Sequence, residues 1–424
     1  GEAGLATVLS SGLLSGDYRT TTSGVIRMKS TLLRGITQAL KPLTVLVGIA
    51  ACDRDSAEPR SFALGCTLDT VAAAPCDGCL QFEHEVRLGT LDGPGYLTPR
   101  GGIEAVVRDH GGNYWVGQGE WINVYAPGGE FLATVGREGE GPLEFRYARP
   151  FHVDAAGQVH VYDITNLRVS VVDESLALVG EKGLVASPSI NSIVPIDDGN
   201  LYAIQAWIQT PDLLGFPLHI IDGPRAIRSF GSQGPGQGVA VASQAAAARH
   251  LASDTDNNVF AMRYHDYEIE AWSRDGVLVG RLQGLPSLDD GLRQGTRDTA
   301  TPENPPWHHP VDLHVDASGL LWVLLRHRRS DWRQNSVEIA YENGDIALAP
   351  TDMHPTNWYH SRIDVIDLDA CVRIASEWRD EFFVGFIADG VMAAGQTSQA
   401  GVPFLDIVHV TMTIDRSGTG PESP

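Results

Sequence analysis

The stretch Asp109-His-Gly-Gly-Asn-Tyr-Trp-Val116 recurs as Asp154-Ala-Ala-Gly-Gln-Val-His-Val161 and as Asp316-Ala-Ser-Gly-Leu-Leu-Trp-Val323. The shared pattern is Asp-x-x-Gly-x-apolar-aromatic-Val. Asp and Gly favour a turn, whereas the apolar, aromatic and Val positions favour a buried strand. Each copy therefore predicts a turn followed by a short strand, in which aromatic residues such as Trp115 and Trp322 pack between sheets.

Three degraded copies extend the repeat along the chain. They are Asp197-Asp-Gly-Asn-Leu-Tyr-Ala203, Asp254-Thr-Asp-Asn-Asn-Val-Phe-Ala261 and Asp389-Gly-Val-Met-Ala393. The anchor positions of the six copies are Gly112, Gly157, Gly199, Asn257, Gly319 and Gly390, at intervals of 45, 42, 58, 62 and 71 residues. A constant unit with growing insertions is typical of solenoids and propellers, because extra residues enter the loops.

Four strands are predicted in each unit. In the first unit they are residues 103–107, 114–116, 122–125 and 131–135; in the second they are 151–154, 159–162, 168–172 and 176–179. Four strands per unit favour propeller blades over a solenoid.

The last unit has only three predicted strands, at residues 382–387, 391–394 and 404–411. A matching fourth strand stands at the other end of the chain, in Phe82-Glu-His-Glu-Val-Arg-Leu-Gly89. Pairing it with the last unit would remove two open sheet edges. The predicted fold is therefore an all-β, six-bladed β-propeller over residues 82–415, with the N-terminal strand closing the last blade.

Gly136-Arg-Glu-Gly-Glu-Gly-Pro-Leu-Glu-Phe145, followed by Val161-Tyr-Asp-Ile-Thr-Asn-Leu-Arg-Val169, resembles the NHL-type repeat of bacterial six-bladed β-propeller lipoproteins. The resemblance is good over residues 130–184 and partial over 82–129, 226–282 and 308–323. It implies the fold and an extracytoplasmic location. It implies no single reaction, because propellers carry many functions.

Residues 28–51 resemble a bacterial lipoprotein signal peptide. Lys29, Arg34 and Lys41 give a positive start, residues 43–49 form a short apolar run, and Ile49-Ala-Ala-Cys52 ends it. The run is too short to span a bilayer, so lipidation of Cys52 is expected. Residues 1–27 are interpreted as upstream leader or fragment, 52–81 as a tether and 416–424 as a disordered tail.

The formal net charge of −22 disfavours several partners. An acidic surface repels nucleic acids and anionic headgroups, so membrane attachment is expected through the lipid alone. A monomer is expected.

Four cysteines remain beside Cys52, namely Cys66, Cys76, Cys79 and Cys371. In an oxidising compartment an even number favours one or two disulfides, whose connectivity the sequence leaves open.

The sequence contains no Gly-x-Ser-x-Gly, His-Glu-x-x-His or Walker motif. It therefore favours a binding protein over an enzyme, and no cofactor is predicted. Binding is expected on the loop face, formed by the connections between successive blades and between the second and third strands of each blade. The long excursion at residues 326–360 is the most prominent of these connections.

Arginine and aromatic residues concentrate on that predicted face, where they would suit a small molecule, a peptide, a glycan or an envelope protein. The candidate binding residues are Arg146, Arg149, Trp207, Arg263, Tyr264, His265, His308, Arg326 and Trp358.

The alternative is a metal-dependent propeller lyase or lactonase. His152 and His314 each stand five residues before an anchor glycine, in units two and five, which lie opposite in a six-membered ring. If both faced the channel they would be weak candidates to ligate a divalent metal. Packing of each histidine against a neighbouring blade is the favoured interpretation.

Overall fold

The computed structural model describes residues 76, 78–98, 105–185, 190–208, 210, 212–213, 215–231, 248–264, 267–282, 300–301, 305–340, 346–351, 355–398 and 401–413. Cys52, Cys66, the predicted signal peptide and the predicted tail lie outside these residues. Within them, the secondary structure is β-strand apart from a short 3₁₀ turn at Pro355–Asn357. No helix in this part of the chain has the length and hydropathy needed to cross a membrane.

Six four-stranded antiparallel sheets form the blades of a β-propeller, as the repeat predicts. The first described strand is β1 (Leu80–Leu88), which belongs to the last blade. Blade 1 contains β2 (Val106–Arg108), β3 (Tyr114–Gly117), β4 (Ile122–Tyr125) and β5 (Phe131–Val135). The connection to the next blade contains the short parallel pair β6 (Arg137–Glu138) and β7 (Glu144–Phe145).

Blades 2 to 4 follow the same order from the inner to the outer strand. Blade 2 contains β8 (Ala148–Val153), β9 (Val159–Asp163), β10 (Arg168–Val172) and β11 (Leu178–Gly183). Blade 3 contains β12 (Ile190–Ile196), β13 (Leu201–Ala206), β14 (Leu218–Asp222) and β15 (Arg225–Phe230). Blade 4 contains β16 (Arg249–Ser253), β17 (Val259–Arg263), β18 (Ile269–Trp272) and β19 (Leu278–Leu282).

Blade 5 carries an inserted hairpin. Its strands are β20 (His309–Val315), β21 (Leu320–Arg328), β24 (Tyr359–Asp367) and β25 (Val372–Arg379), and the hairpin consists of β22 (Ser336–Ala340) and β23 (Ile346–Pro350). Blade 6 contains β26 (Phe382–Ala388), β27 (Val391–Thr397), β28 (Pro403–Met412) and, as its outer strand, β1.

Closure of the ring by the N-terminal strand is confirmed. β1 runs antiparallel to β28, with Phe82 opposite Val410 and Leu88 opposite Leu405. Arg87 donates two hydrogen bonds to Asp406 across this pair, at 2.6 and 2.7 Å. The inner strands of neighbouring blades contact one another around the whole ring, including β2 with β26.

The hydrophobic core is divided among the spaces between blades. One buried cluster fills each of the six interfaces between neighbouring blades; Trp115 packs between blades 1 and 2, and Trp322 between blades 5 and 6. Each face of a blade is therefore buried against a different neighbour, and every part of the core contains side chains of two blades.

The anchor position of the repeat is explained by its backbone. All six anchors, Gly112, Gly157, Gly199, Asn257, Gly319 and Gly390, have φ between 64° and 86°. Glycine adopts this left-handed region without steric cost, and asparagine tolerates it better than most residues. The turn between the first and second strands of each blade therefore selects Gly, or once Asn.

The repeat aspartate fastens this turn to the following strand. In the first blade, Asp109 Oδ1 accepts the amide of Asn113 at 2.8 Å, while Oδ2 accepts the indole N–H of Trp115 at 2.9 Å. Asp316 binds the amide of Leu320 and the indole of Trp322 in the same way. The aromatic position thus serves both packing and hydrogen bonding, whereas the sequence predicted packing alone.

Some predicted strand boundaries are wrong by two to four residues. The inner strand of blade 2 begins at Ala148 rather than 151. A β-bulge between Pro150 and His152 interrupts its pairing with β9, and such an extra residue breaks the alternation on which boundaries are predicted. The outer strand begins at Leu178 rather than 176, because Leu176 has a φ of 65° and belongs to the preceding turn.

The disulfide connectivity left open by the sequence is settled for one pair. Cys76 is bonded to Cys79, with their Cα atoms 5.7 Å apart, and Cys371 is also disulfide-bonded. Cys76 lies beside β25, where its amide donates to the carbonyl of Ile374 at 3.1 Å. This contact joins the residues just before β1 to the outer strand of blade 5.

Candidate functional site between blades 5 and 6

Two connections on the loop face meet beside blade 6. β21 and β24 are each nine residues long and project the insertion at residues 329–358 beyond the blade. The connection from β25 to β26 consists of Asp380 and Glu381 alone. A long insertion and a very short connection therefore form one edge of the loop face.

The insertion has a small core of its own. The rings of Trp332 and Trp358 meet edge to face at 6.0 Å, and the indole N–H of Trp358 donates to Ser336 Oγ at 2.8 Å. Only 1% of the surface of Trp358 is exposed. The two tryptophans thus form the core of the insertion and stabilise it.

A cavity of about 550 Å³ opens at the edge where the insertion and the short connection meet. Its lining residues come from the insertion, the end of β25, the short connection, the start of β26 and β27, and they are Thr356, Trp378, Arg379, Asp380, Glu381, Phe382 and Gln396. This volume lies in the range of small-molecule sites, roughly 300–1,000 Å³. We call these seven residues the blade 5/6 cavity.

Trp378 is a large apolar side chain of this cavity that remains open to solvent. Its exposed fraction is 45%. The guanidinium of Arg362 lies over the ring, 5.4 Å from its centroid, and the ring of His327 meets it edge to face at 4.7 Å. Arg362 is itself held by two hydrogen bonds to the buried carboxylate of Asp364. The indole is therefore positioned from within the blade.

Only one of the two carboxylate oxygens of Asp380 is hydrogen-bonded to a described residue. Its Oδ1 accepts hydrogen bonds from His360 Nδ1 at 2.8 Å and from Arg329 Nη1 at 3.1 Å. Its Oδ2 has no hydrogen bond within the part of the chain that the structure describes, and the side chain is 80% exposed. The neighbouring Glu381 differs, because Arg379 occupies both of its oxygens.

Arg326 is buried behind Phe382, one of the lining residues of the cavity. It donates to Ser361 Oγ at 2.7 Å and to the carbonyl of Phe383, and its guanidinium lies 3.7 Å from the centroid of the Phe382 ring. Burial lowers the pKa of Arg326 to about 9. The sequence placed Arg326 on an exposed loop, but it lies within β21, which at nine residues is longer than the second strand of every other blade.

The structure brings three of the predicted binding residues to blade 5. Arg326 packs against Phe382 of the blade 5/6 cavity, and Trp358 belongs to the core of the insertion. His308 packs against His327, with ring centroids 4.0 Å apart, and its Nδ1 accepts the amide of Arg328 at 3.1 Å. His308 therefore lies behind His327 and Trp378 rather than on the cavity wall.

The remaining predicted binding residues that the structure describes lie in blades 2 to 4 or in the connections beside them. Arg146 pairs with Glu140 at 2.7 Å, and the guanidinium of Arg149 lies 5.8 Å from the centroid of the Tyr147 ring. Trp207 is buried. Arg263 lies within 4 Å of the carboxylates of Glu268 and Glu270. Tyr264 packs on His250, and His265 lies outside the described residues.

His152 and His314 make equivalent contacts between blades. His314 Nε2 lies 2.7 Å from Asp389 Oδ1 in the first turn of blade 6, and His152 Nε2 lies 3.5 Å from Asp198 Oδ1 in the first turn of blade 3. Burial lowers the pKa of His152 to about 4. No group of three or more His, Cys, Asp or Glu side chains able to hold a metal occurs among the described residues.

Asp312 also links two inner strands. Its Oδ2 accepts the amide of Phe386 in blade 6 at 2.8 Å, and its Oδ1 accepts the amide of Leu313 at 2.9 Å. Burial raises the pKa of this carboxyl to about 6. This acidic side chain thus fastens β20 to β26.

Sequence reasoning missed most of the blade 5/6 cavity. Trp378, Asp380 and Gln396 belong to no repeat motif and to no long insertion. A usable signal was present in Trp378-Arg-Asp-Glu-Phe382, where an aromatic residue and three charges stand together at the start of the predicted strand at residues 382–387.

No protein-family model matches the sequence, and no curated protein matches it significantly. Solved structures share the fold. A member of the DUF4221 family from Bacteroides vulgatus has a TM-score of 0.51 and 7% identity, over 79% of this chain and 99% of its own.

Two further similar structures have lower TM-scores. A Bacteroides fragilis protein described as exported has a TM-score of 0.48 and 13% identity, over 82% of this chain and 99% of its own. Virginiamycin B lyase from Staphylococcus aureus has a TM-score of 0.42 and 11% identity, over 79% of this chain and 100% of its own. At such identities the likeness concerns the fold alone.

Proposed function

We propose that this chain is a lipid-anchored, extracytoplasmic β-propeller that binds a small ligand at the blade 5/6 cavity. The observation that carries the proposal is the 45% exposed indole of Trp378 on the wall of an open cavity. Exposed large aromatic side chains beside convergent polar groups are a common feature of ligand sites.

The proposed location rests on two independent features of the chain. Ile49-Ala-Ala-Cys52 follows a positively charged and then apolar segment, as in a lipoprotein signal peptide. The disulfide between Cys76 and Cys79 suits an oxidising compartment, since cytosolic thiols are kept reduced. Mass spectrometry of the mature protein tests the anchor, and an N-terminus other than a diacylated or triacylated Cys52 would contradict it.

Ligand-observed NMR with the purified full chain tests binding. The probes are three panels of small compounds: neutral disaccharides, short peptides and dicarboxylates. We expect compounds of one panel to bind the wild type and to lose binding in Trp378→Ala. The control variant is Leu132→Ala, which truncates a 53% exposed apolar side chain of blade 1. Binding that survives in Trp378→Ala would place the ligand elsewhere.

A further inference from the structure

We infer that the ligand of the blade 5/6 cavity is a neutral saccharide, whose pyranose ring packs on Trp378 and whose hydroxyl groups bond to Asp380 and Gln396. This inference rests on the proposed function and adds the chemical class of the ligand. Three properties of the cavity support it: the orientation of the indole, the unused polar groups and the balance of charge.

The indole offers a flat apolar surface with a fixed orientation. Arg362 lies over the ring and His327 contacts it, while 45% of the side chain stays exposed. A pyranose ring has one face of C–H groups that matches such a surface, and its edges are rimmed with hydroxyls. Trp378 also has an N–H group at its edge, which makes no hydrogen bond to any described residue. An aromatic body with a polar edge is thus available to an equally amphipathic ligand.

The unused polar groups call for a ligand that both donates and accepts hydrogen bonds. Asp380 Oδ2 accepts only, the Trp378 indole donates only, and the Gln396 amide does both. Neither Asp380 Oδ2 nor the Gln396 side chain has a hydrogen bond to another part of the chain that the structure describes. Each sugar hydroxyl carries one donor and two acceptor lone pairs, so the hydroxyls of a sugar offer a partner of the right kind to each of the three groups.

Arg379 in the cavity lining and Arg329 beside it are already paired with carboxylates without a ligand. Arg379 is neutralised by Glu381, and Arg329 lies 3.1 Å from both Asp331 and Asp380. With the chain at a net charge of −22, an anionic ligand would meet an unfavourable potential and no uncompensated arginine on the cavity wall. A cationic ligand at Asp380 would lie beside the like charge of Arg329, which is 3.1 Å from that carboxylate. A neutral ligand avoids both costs.

Isothermal titration calorimetry on the purified full chain tests the inference. The probes are maltose, cellobiose and N,N'-diacetylchitobiose at millimolar concentration, with a glucuronate-containing disaccharide and a set of neutral tripeptides for comparison. We expect at least one neutral disaccharide to bind the wild type. We also expect Trp378→Ala to weaken binding by at least about tenfold and Asp380→Asn by about 10- to 100-fold.

Two matched variants control for indirect effects. Asp331→Asn removes another exposed carboxylate from Arg329 without touching the cavity lining, and Leu132→Ala removes an exposed apolar side chain from blade 1. Both should retain the affinity of the wild type, and thermal melting should show all four variants folded.

The outcomes separate the ligand class from the proposed function. Tripeptides or the acidic disaccharide binding in place of neutral sugars, with loss in Trp378→Ala, would overturn the saccharide inference and leave the site in place. No binding by any probe would overturn the inference and contradict the proposed function as well. Neutral sugar binding that is unaffected by Trp378→Ala and Asp380→Asn would place the sugar at another surface and refute the assignment.

Discussion

Asp389 of blade 6 holds His314 of blade 5, with its Oδ1 2.7 Å from the imidazole Nε2. The second oxygen of Asp389 accepts the amide of Ala317 at 2.9 Å, so one side chain bridges the first turns of two blades. Asp198 of blade 3 is placed in the same way but approaches less closely: its Oδ1 lies 3.5 Å from His152 Nε2, and its carboxylate accepts the amide of Ala155. These two histidines, selected by sequence as weak metal candidates, therefore each lie against an aspartate of the next blade.

Removing this bridge should destabilise the propeller. We expect Asp389→Ala to lower the free energy of unfolding by about 1–3 kcal/mol, because it removes bonds to an imidazole and to an amide. Asp369→Ala, at an exposed carboxylate in a turn of blade 5, should change it by less than about 0.5 kcal/mol. Urea denaturation measures both, and equal effects would show that the bridge contributes nothing specific.

The hydrogen bond from the Trp322 indole to Asp316 can be tested by giving blade 5 the residue types that blade 4 has at the same positions. In blade 4, Phe260 stands at the aromatic position and cannot donate, and Asn258 Nδ2 binds Asp254 Oδ2 at 2.8 Å instead. We expect Trp322→Phe to cost about 1–3 kcal/mol, since Asp316 Oδ2 loses its partner and a smaller ring fills the site.

The rescue variant follows the arrangement of blade 4. Adding Leu320→Asn to Trp322→Phe should recover part of the loss, because position 320 corresponds to Asn258. A double-mutant cycle measured by thermal unfolding reports the coupling between the two positions. Additive effects would mean that the amide does not replace the indole as a donor.

The local rules of the repeat were accessible to sequence reasoning because each acts within a few residues. A turn that requires a positive φ selects glycine, as at Gly112, or asparagine, as at Asn257. Each blade has one such turn, so the number of turns in the sequence predicted the number of blades. The missing fourth strand of the last unit likewise predicted the pairing of β1 with β28. The sequence predicted the packing of Trp115 but not its hydrogen bond to Asp109, although the spacing of six residues between them was visible.

The candidate site was not accessible in the same way. Sequence reasoning favoured the long insertion, whose Trp332 and Trp358 turn inward to form its own core. The cavity instead depends on Asp380, in a connection of two residues, and on Gln396, at the end of β27. Gln396 meets residues 378–382 there only because blades 5 and 6 are neighbours, and the local run at 378–382 does not report that contact.

Closure of the ring by β1 predicts a large effect of its removal. Deleting residues 82–89 exposes the edge of β28, removes the outer strand of blade 6 and leaves the buried Asp406 without Arg87. We expect a fall of more than about 10 °C in the melting temperature, measured by circular dichroism, as well as aggregation through the open edge. Leu91→Ala, at a 63% exposed residue just after the strand, should melt like the wild type. A small shift on deletion would mean that the last blade closes in another way.

Acid should destabilise the fold through His219 in blade 3. This imidazole is fully buried, its Nδ1 lies 2.7 Å from Ser229 Oγ, and burial lowers its pKa from 6.5 to about 4. Because the folded pKa lies below the unfolded value, the unfolded state takes up the proton first, and stability falls as the pH drops from 6.5 towards 4. Between pH 7 and pH 5 the loss from this residue should be about 2 kcal/mol. His219→Asn keeps a polar group for Ser229 but cannot titrate, so urea denaturation at the two pH values should show a correspondingly smaller difference for this variant. An unchanged pH dependence would show that other groups control the acid response.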